Sequence, residues 1–318
     1  MRFSIVIPVY NRPDELAELL GSLTRQTYTD FEVIVVEDGS TRRADYVAEQ
    51  YAGQLPLTYY YKENTGQGFS RNFGFKRAKG DYFIVFDSDA IVPPAYLATV
   101  DRHLKTSWLD AYGGPDAADP DFTPLQRAIS YSMTSVFTTG GIRGSKKNLG
   151  GQFHPRSFNM GLSRKVFQET GGFAKRDMGE DMELSTRLMR QGYTVGLIPE
   201  AYVYHKRRGT FGAFFKQVFS FGRTRIQLKR NYGIPVKPVH TLPVWFTVGL
   251  LSLPVLALLY WPLFGLGLSL LSLFLLLLGL DAAWREKSLY VGGLSMIAAL
   301  VQLTGYGLGF LKEWIRPS

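Results

Sequence analysis

The sequence predicts an α/β fold, a Rossmann-like mixed sheet with flanking helices, followed by amphipathic interfacial helices and an all-α membrane region. Three observations predict it. Short β-branched and aromatic runs alternate with amphipathic segments over residues 3–86, the stretches 238–280 and 288–311 contain no Asp, Glu, Lys or Arg, and nine cations crowd the segment just before them. Alternation of that kind is the pattern of a parallel sheet covered by helices. Charge-free runs of such length are the pattern of membrane spans.

The elements follow in order. Phe3 to Pro8, Glu32 to Glu37, Leu57 to Tyr61 and Tyr82 to Phe86 are predicted strands, and 13–25, 41–52 and 68–79 are predicted helices. Ligands of such sheets gather beyond the carboxyl ends of the strands, and Asp38 and Asp87 both fall there. A carboxylate costs several kcal/mol to bury without a partner, so acids in these places point to a cation or a polar ligand. From 95 to 178 the pattern loosens, and Gly113-Gly114-Pro115, Thr139-Gly140-Gly141 and Gly150-Gly151 divide it into loops. Periodicity returns at 180–191, where Leu184 and Leu188 stand one turn apart before the stop at Gly192.

Phe211, Phe214, Phe215, Val218 and Phe219 recur at helical spacing, with Lys216, Ser220 and Arg223 on the opposite stripe. Such a helix is expected to lie in a bilayer interface. A span needs about 20 apolar residues, so 238–280 divides into two at Tyr260-Trp261-Pro262. Spans are therefore expected near 241–260, 262–280 and 289–310, with Asp281 to Lys287 as a short polar loop.

The net charge of +9 has a location. Lys206, Arg207, Arg208, Lys216, Arg223, Arg225, Lys229, Arg230 and Lys237 carry it, and the other 27 of the 36 Lys and Arg balance the 27 acids. A basic cluster beside an anchor fits the positive-inside rule and attraction to anionic membrane lipids, and disfavours nucleic acid as the partner. With no signal peptide at its start, the chain is expected to be a multi-pass membrane protein whose N-terminal domain lies on the cytoplasmic face. The absence of cysteine excludes disulfides and cysteine-ligated metal.

Asp87-Ser88-Asp89 places two carboxylates at i and i+2 directly after an apolar strand. In an extended backbone these face one side and can approach one cation. Together with Ser4 to Asn11, Val35 to Ser40, Asn64 to Gly74, Asn159 to Gly161, Gly171 to Phe173 and Gly179 to Leu184, this chain resembles the family 2 glycosyltransferases of GT-A fold over residues 1–208.

The resemblance implies roles position by position. Pro8, Tyr10 and Asn11 would border a nucleotide whose base hydrogen-bonds Asp38, with Glu37 standing where many relatives have Asp. Arg71 and Asn72 would lie near the diphosphate, Asp87 and Ser88 would contact the donor, and Asp89 with His205 would hold Mg²⁺ or Mn²⁺. Asp181, paired with Glu180, would be the base of an inverting transfer. The expected organisation is a nucleotide-sugar half over 1–95, an acceptor and catalytic half over 96–208, a basic amphipathic segment over 209–238 and a membrane region over 239–318.

The resulting expectation is transfer of one sugar from a UDP- or GDP-linked donor to a lipid-linked or glycolipid acceptor. A polyprenyl phosphate acceptor, a processive polysaccharide synthase and a non-catalytic nucleotide-binding scaffold are the alternatives. No Q-x-x-R-W motif supports the synthase, and Asp89 and Asp181, which a scaffold would have no need of, are both present. Oligomerisation is compatible with the sequence.

Overall fold

The computed structural model describes residues 1–117, 121–139, 153–175 and 177–316. In chain order the first elements are β1 (Phe3–Val9), α1 (Pro13–Leu23), β2 (Phe31–Asp38), α2 (Asp45–Tyr51), β3 (Leu57–Lys62), α3 (Gln67–Phe75), β4 (Tyr82–Phe86) and β5 (Ala90–Ile91). They continue with α4 (Tyr96–Thr106), β6 (Ala111–Gly113), β7 (Asp116–Ala117), α5 (Pro124–Thr134), α6 (Val136–Thr139), β8 (Asn159–Ser163), α7 (Arg164–Thr170), α8 (Glu180–Arg190), β9 (Val195–Leu197) and β10 (Val203–His205). Four long helices close the chain: α9 (Phe211–Tyr232), α10 (Leu242–Leu259), α11 (Trp261–Glu286) and α12 (Leu289–Trp314). Two compact units result, residues 1–119 with 151–206, and residues 120–150 with 207–318.

The first unit is built on a seven-stranded sheet of order β3-β2-β1-β4-β8-β6-β9, parallel except that β8 runs against both β4 and β6. Ile5 pairs Val33 of β2 on one side and Ile84 of β4 on the other, so the strand order reverses at β1. In doubly wound sheets a crevice opens at the carboxyl ends beside such a reversal. Strands β1, β2 and β4 are buried on both faces, which explains their nearly unbroken apolar runs. Ile5 and Ile7 face a core with Leu16, Leu19 and Leu20 of α1, and Val6 faces the other with Phe75, Leu184 and Leu188. A small second sheet, β5-β10-β7, pairs His205 with Ala90.

The loose stretch expected over 95–178 contains the helices α4, α5 and α7. α5 is secured by a capping box in which Thr123 accepts from the Gln126 N–H, a local signal that glycine spacing does not carry. Gly140-Gly141 and Gly150-Gly151 lie outside the described residues.

In the second unit three helices are long and apolar enough to cross a membrane, Pro238–Leu259, Trp261–Glu286 and Leu289–Trp314. Of the polar loop expected at Asp281 to Lys287, residues 281–286 instead continue α11 to its end and Lys287 is its left-handed C-cap. Its charges have partners: Tyr131 Oη donates to Asp281 at 2.6 Å, Arg285 pairs with Asp281 at 2.9 Å and Arg127 with Glu286 at 2.8 Å. Helix α9 runs well past the predicted segment, and its aromatic stripe is not open to an interface along its length. Phe214 and Val218 are buried with Ile129, Met133 and Ala298 of α5 and α12. Glycines permit this packing: a Cβ on Gly309 would stand 2.0 Å from the Phe219 carbonyl, and one on Gly222 would stand 2.1 Å from that of Tyr306.

Candidate active site

The crevice beyond β1, β2 and β4 collects the acidic motifs. Asp87 follows the last residue of β4, and the β5–β10 pairing carries His205 to the same place. His205 Nε2 lies 3.0 Å from Asp89 Oδ1, and the ring stacks on Phe158 with centroids 4.7 Å apart. Asp87, Asp89 and His205 each offer a ligand atom within 4.8 Å of the others. Two carboxylate oxygens and an imidazole nitrogen fit a divalent cation of the Mn²⁺ or Mg²⁺ class, and the imidazole favours the transition metal. Asp89 Oδ2 also accepts from Arg12 Nη1 at 2.6 Å. Burial opposes the charge on Asp89, but His205 and Arg12 outweigh it and hold the carboxyl well below its usual range.

Arg71 lies on α3, whose N-cap Gly66 has a φ of +89°. Its guanidinium is 0% exposed, with Nη2 2.7 Å from Asp87 Oδ1 and Nη1 2.7 Å from Glu180 Oε1. Burial alone would favour loss of its proton, yet the two acids hold it charged. Glu180 Oε1 also accepts from Gln67 Nε2 at 2.8 Å and Ser157 Oγ at 3.1 Å. Burial is the largest influence on Glu180 and pushes its carboxyl up, against Arg71 and with the neighbouring charge of Asp181.

Asp181 is placed differently. It shares the first turn of α8, after Met178 at φ +30° and Gly179 at φ +87°, where the helix terminus favours negative charge. Its side chain is 13% exposed, it accepts from the Met182 N–H at 2.7 Å, and its nearest ion-pair partner among the described residues is Arg156 Nη1 at 3.8 Å. Lys175, whose ammonium donates to the Met178 carbonyl, is lowered by burial although Glu180 and Asp181 oppose that.

The remaining sequence-predicted residues line the strand ends or brace them. Asp38 is the last residue of β2, its side chain 4% exposed, and it accepts from the Thr65 N–H at 2.8 Å, the Gly66 N–H at 2.8 Å and the Lys62 ammonium. It therefore holds the turn that leads into α3. Glu37 is likewise enclosed and accepts from the Ala44 N–H and Tyr59 Oη, both at 2.7 Å. Both ends of the Asn72 amide are used by Phe173, with Nδ2 donating to its carbonyl at 2.8 Å and Oδ1 accepting from its N–H at 2.9 Å. Asn11 adopts φ +57°, a conformation asparagine tolerates, and accepts from the Arg42 N–H at 2.8 Å. Pro8 pairs with Val36 inside the sheet, Ser88 is buried, and Tyr10 stands 52% exposed at the crevice rim.

The structure thus gathers Asp87, Asp89 and His205 into one group and joins Asp87 to Glu180 through Arg71. Sequence reasoning missed Arg12, Gln67, Arg156, Ser157 and Lys175. Arg12 directly follows Asn11 and Gln67 lies inside the Asn64 to Gly74 motif, so both were open to notice; for the others nothing local distinguishes them from surface residues.

The family profile described as Glycosyl transferase family 2 matches residues 4–171. "Glycosyltransferase AglE" from Haloferax volcanii is 25% identical over 258 residues, 79% of this chain and 82% of that one. "Poly(ribitol-phosphate) beta-N-acetylglucosaminyltransferase TarS" from Staphylococcus aureus is 31% identical over 159 residues, 44% of this chain but 28% of that longer protein. Among solved structures, the mannosyltransferase PcManGT from Pyrobaculum calidifontis in complex with GDP-Man and Mn²⁺ superposes with a TM-score of 0.58 at 19% identity, covering 99% of this chain and 87% of that one. S. aureus TarS 1–349 in complex with UDP-GlcNAc gives 0.52 at 18% identity, covering 98% and 91%. These two share the fold.

Proposed function

The chain belongs to glycosyl transferase family 2, and on that premise we propose that it is a membrane-bound, inverting, metal-dependent enzyme that moves one sugar from a UDP- or GDP-linked donor to a lipid-linked acceptor. The single observation that carries this reading is the gathering of Asp87, Asp89 and His205 within 4.8 Å. These three residues would hold Mn²⁺ or Mg²⁺, which when bound neutralises charge on the departing diphosphate. The complexes of PcManGT with GDP-Man and Mn²⁺ and of TarS with UDP-GlcNAc support a nucleotide-sugar donor of either base.

Asp181 is the base of this reading, and Glu180 a positioning residue. Glu180 is enclosed by the side chains of Arg71, Gln67 and Ser157, whereas Asp181 accepts from the Met182 N–H at 2.7 Å and, among the described residues, has one distant ion pair, to Arg156 at 3.8 Å. Asp181 takes the proton of the acceptor hydroxyl as that oxygen bonds to the anomeric carbon. The bond from that carbon to the nucleotide's diphosphate breaks on the opposite face, so the configuration inverts. Three apolar helices and the basic stretch over 206–237 support a lipid acceptor and a catalytic unit on the cytoplasmic face.

Incubation of the full-length protein with a panel of UDP- and GDP-sugars, Mn²⁺ and total lipid extract, followed by mass spectrometry of the lipid phase, tests the proposal. A lipid heavier by one sugar is expected, and nucleotide release without any mass-shifted lipid overturns the lipid acceptor. Asp89→Ala should abolish turnover, and Asp181→Asn should lower it about 10²- to 10⁴-fold. An acceptor phosphate is already ionised and needs no base, so an intact Asp181→Asn enzyme would replace the hydroxyl acceptor with a phosphate one.

A further inference from the structure

Arg12 follows the last residue of the first family motif, and its guanidinium is the group nearest Asp89. Nη1 stands 2.6 Å from Asp89 Oδ2, while His205 Nε2 stands 3.0 Å from Oδ1, so both oxygens of the carboxylate are engaged. Asp87 and Glu15 also attract this cation. Its side chain is 32% exposed, in contrast to the enclosed Arg71. The Arg12 side chain makes no cap bond to α1; the helix uses only its carbonyl, which accepts from the Leu16 N–H at 3.1 Å. Among the described residues the one hydrogen-bond and ion-pair partner of this side chain is Asp89.

A divalent cation placed among Asp87, Asp89 and His205 would face this guanidinium at close range. Like charges so near repel strongly in a partly buried site. The nucleotide's diphosphate would arrive with that cation, and a planar guanidinium matches phosphate oxygens better than any other side chain. Arg71 is fully buried and held between Asp87 and Glu180, whereas Arg12 is the more exposed of the two guanidinium groups.

We propose that Arg12 is a resident counter-cation for Asp89, released to the divalent cation when donor binds, and that it then grips the donor's diphosphate. This rests on the reading of Asp87, Asp89 and His205 as the metal group. In the free enzyme Arg12 keeps two nearby carboxylates from repelling each other. In the loaded enzyme it binds the anion that leaves.

The test compares full-length detergent-solubilised wild type, Arg12→Gln and Arg12→Lys in two binding measurements. Titration with Mn²⁺ alone, followed by the free-Mn²⁺ electron paramagnetic resonance signal, should show Arg12→Gln binding about three- to tenfold more tightly, because a competing ion pair has gone. Calorimetric titration of UDP and GDP at saturating Mn²⁺ should show the same variant binding the preferred nucleotide at least about tenfold more weakly. Arg12→Lys, a point charge without the fork, should fall between in both, and serves alone if Arg12→Gln does not fold. Weaker Mn²⁺ binding by both variants would make Arg12 a mere support of the ligand carboxylate and overturn the proposal, as would unchanged nucleotide affinity. Failure of wild type to bind Mn²⁺ with or without nucleotide would instead sink the metal reading beneath it.

Discussion

The two units of this protein fix their geometry by opposite means. In the α/β unit the positions that matter are held by buried charge: Glu37, Asp38, Arg71, Asp89 and Glu180 are all enclosed, and each meets an opposite charge or a backbone N–H. In the helical unit the close contacts are made at glycines, where Gly222 and Gly309 meet the backbone of a neighbouring helix, Gly305 meets the Val218 side chain and Gly307 meets Thr247 and the Pro243 carbonyl, and Glu313, paired with Arg223 at 2.8 Å, is the single buried charge among the described residues. Gly305 and Gly309 face α9 and Gly307 faces α10, as i, i+2 and i+4 positions of a helix must. The contrast follows from the solvent. A crevice open to water must lock its charges with partners, whereas helices long and apolar enough to cross a membrane would, in lipid, gain nothing from burying more apolar surface and associate by close approach.

Removing charge from the first unit should therefore cost most. Arg71→Met strands Glu180 and Asp87, and a loss of about 3–5 kcal/mol is expected in chemical denaturation followed by near-ultraviolet circular dichroism. Partial recovery in the Arg71→Met/Glu180→Gln double variant would tie the loss to the pair, and a loss under about 1 kcal/mol would break the comparison. In the helical unit Gly309→Ala drives a Cβ to 2.0 Å from the Phe219 carbonyl. A cost of about 1–3 kcal/mol and a lower thermal midpoint in detergent are expected, while nucleotide binding stays unchanged. Gly293→Ala is the control: an added Cβ there meets nothing within 4 Å, and stability should hold or rise by up to about 1 kcal/mol.

The smallest effect is one of pH. Burial pushes Asp38 up, but Lys62, the Thr65 N–H and Ser70 outweigh it and lower its carboxyl below 3.8. A carboxyl lowered on folding contributes stability that is complete above the unfolded value and is lost as pH falls through the folded one. Asp38→Asn should accordingly flatten the acid limb of the stability profile below about pH 4, read by thermal unfolding across pH. An unaltered acid limb would show that the turn after β3 is held by something else.

Strands β1 to β4 and helices α1, α3 and α8 were legible because their periodicity is local and their apolar faces have one place to go. The motif acids were legible because each sits at a strand end or a helix start. The end of α11 was not, since Asp281 and Glu286 read as loop charges until Tyr131, Arg285 and Arg127 satisfy them within a helix. Two of those three partners lie on α5, more than a hundred residues earlier. Nor was the burial of Phe214 and Val218 legible, because an aromatic stripe looks the same whether lipid or α12 covers it.

The sequence by itself determined the α/β class, the three apolar spans and which carboxylates stand at the mouth of the sheet. Those properties depend on composition and on spacing within one element. Only the tertiary structure decided which charges meet: that β10 lays His205 against Asp89, that Arg71 is closed between Asp87 and Glu180, and that Arg12, just beyond the carboxyl end of β1, reaches Asp89 beyond the carboxyl end of the parallel strand β4. Each of these pairings spans from 16 to 116 positions along the chain, a relation set by which strands neighbour one another and not by any run of residues.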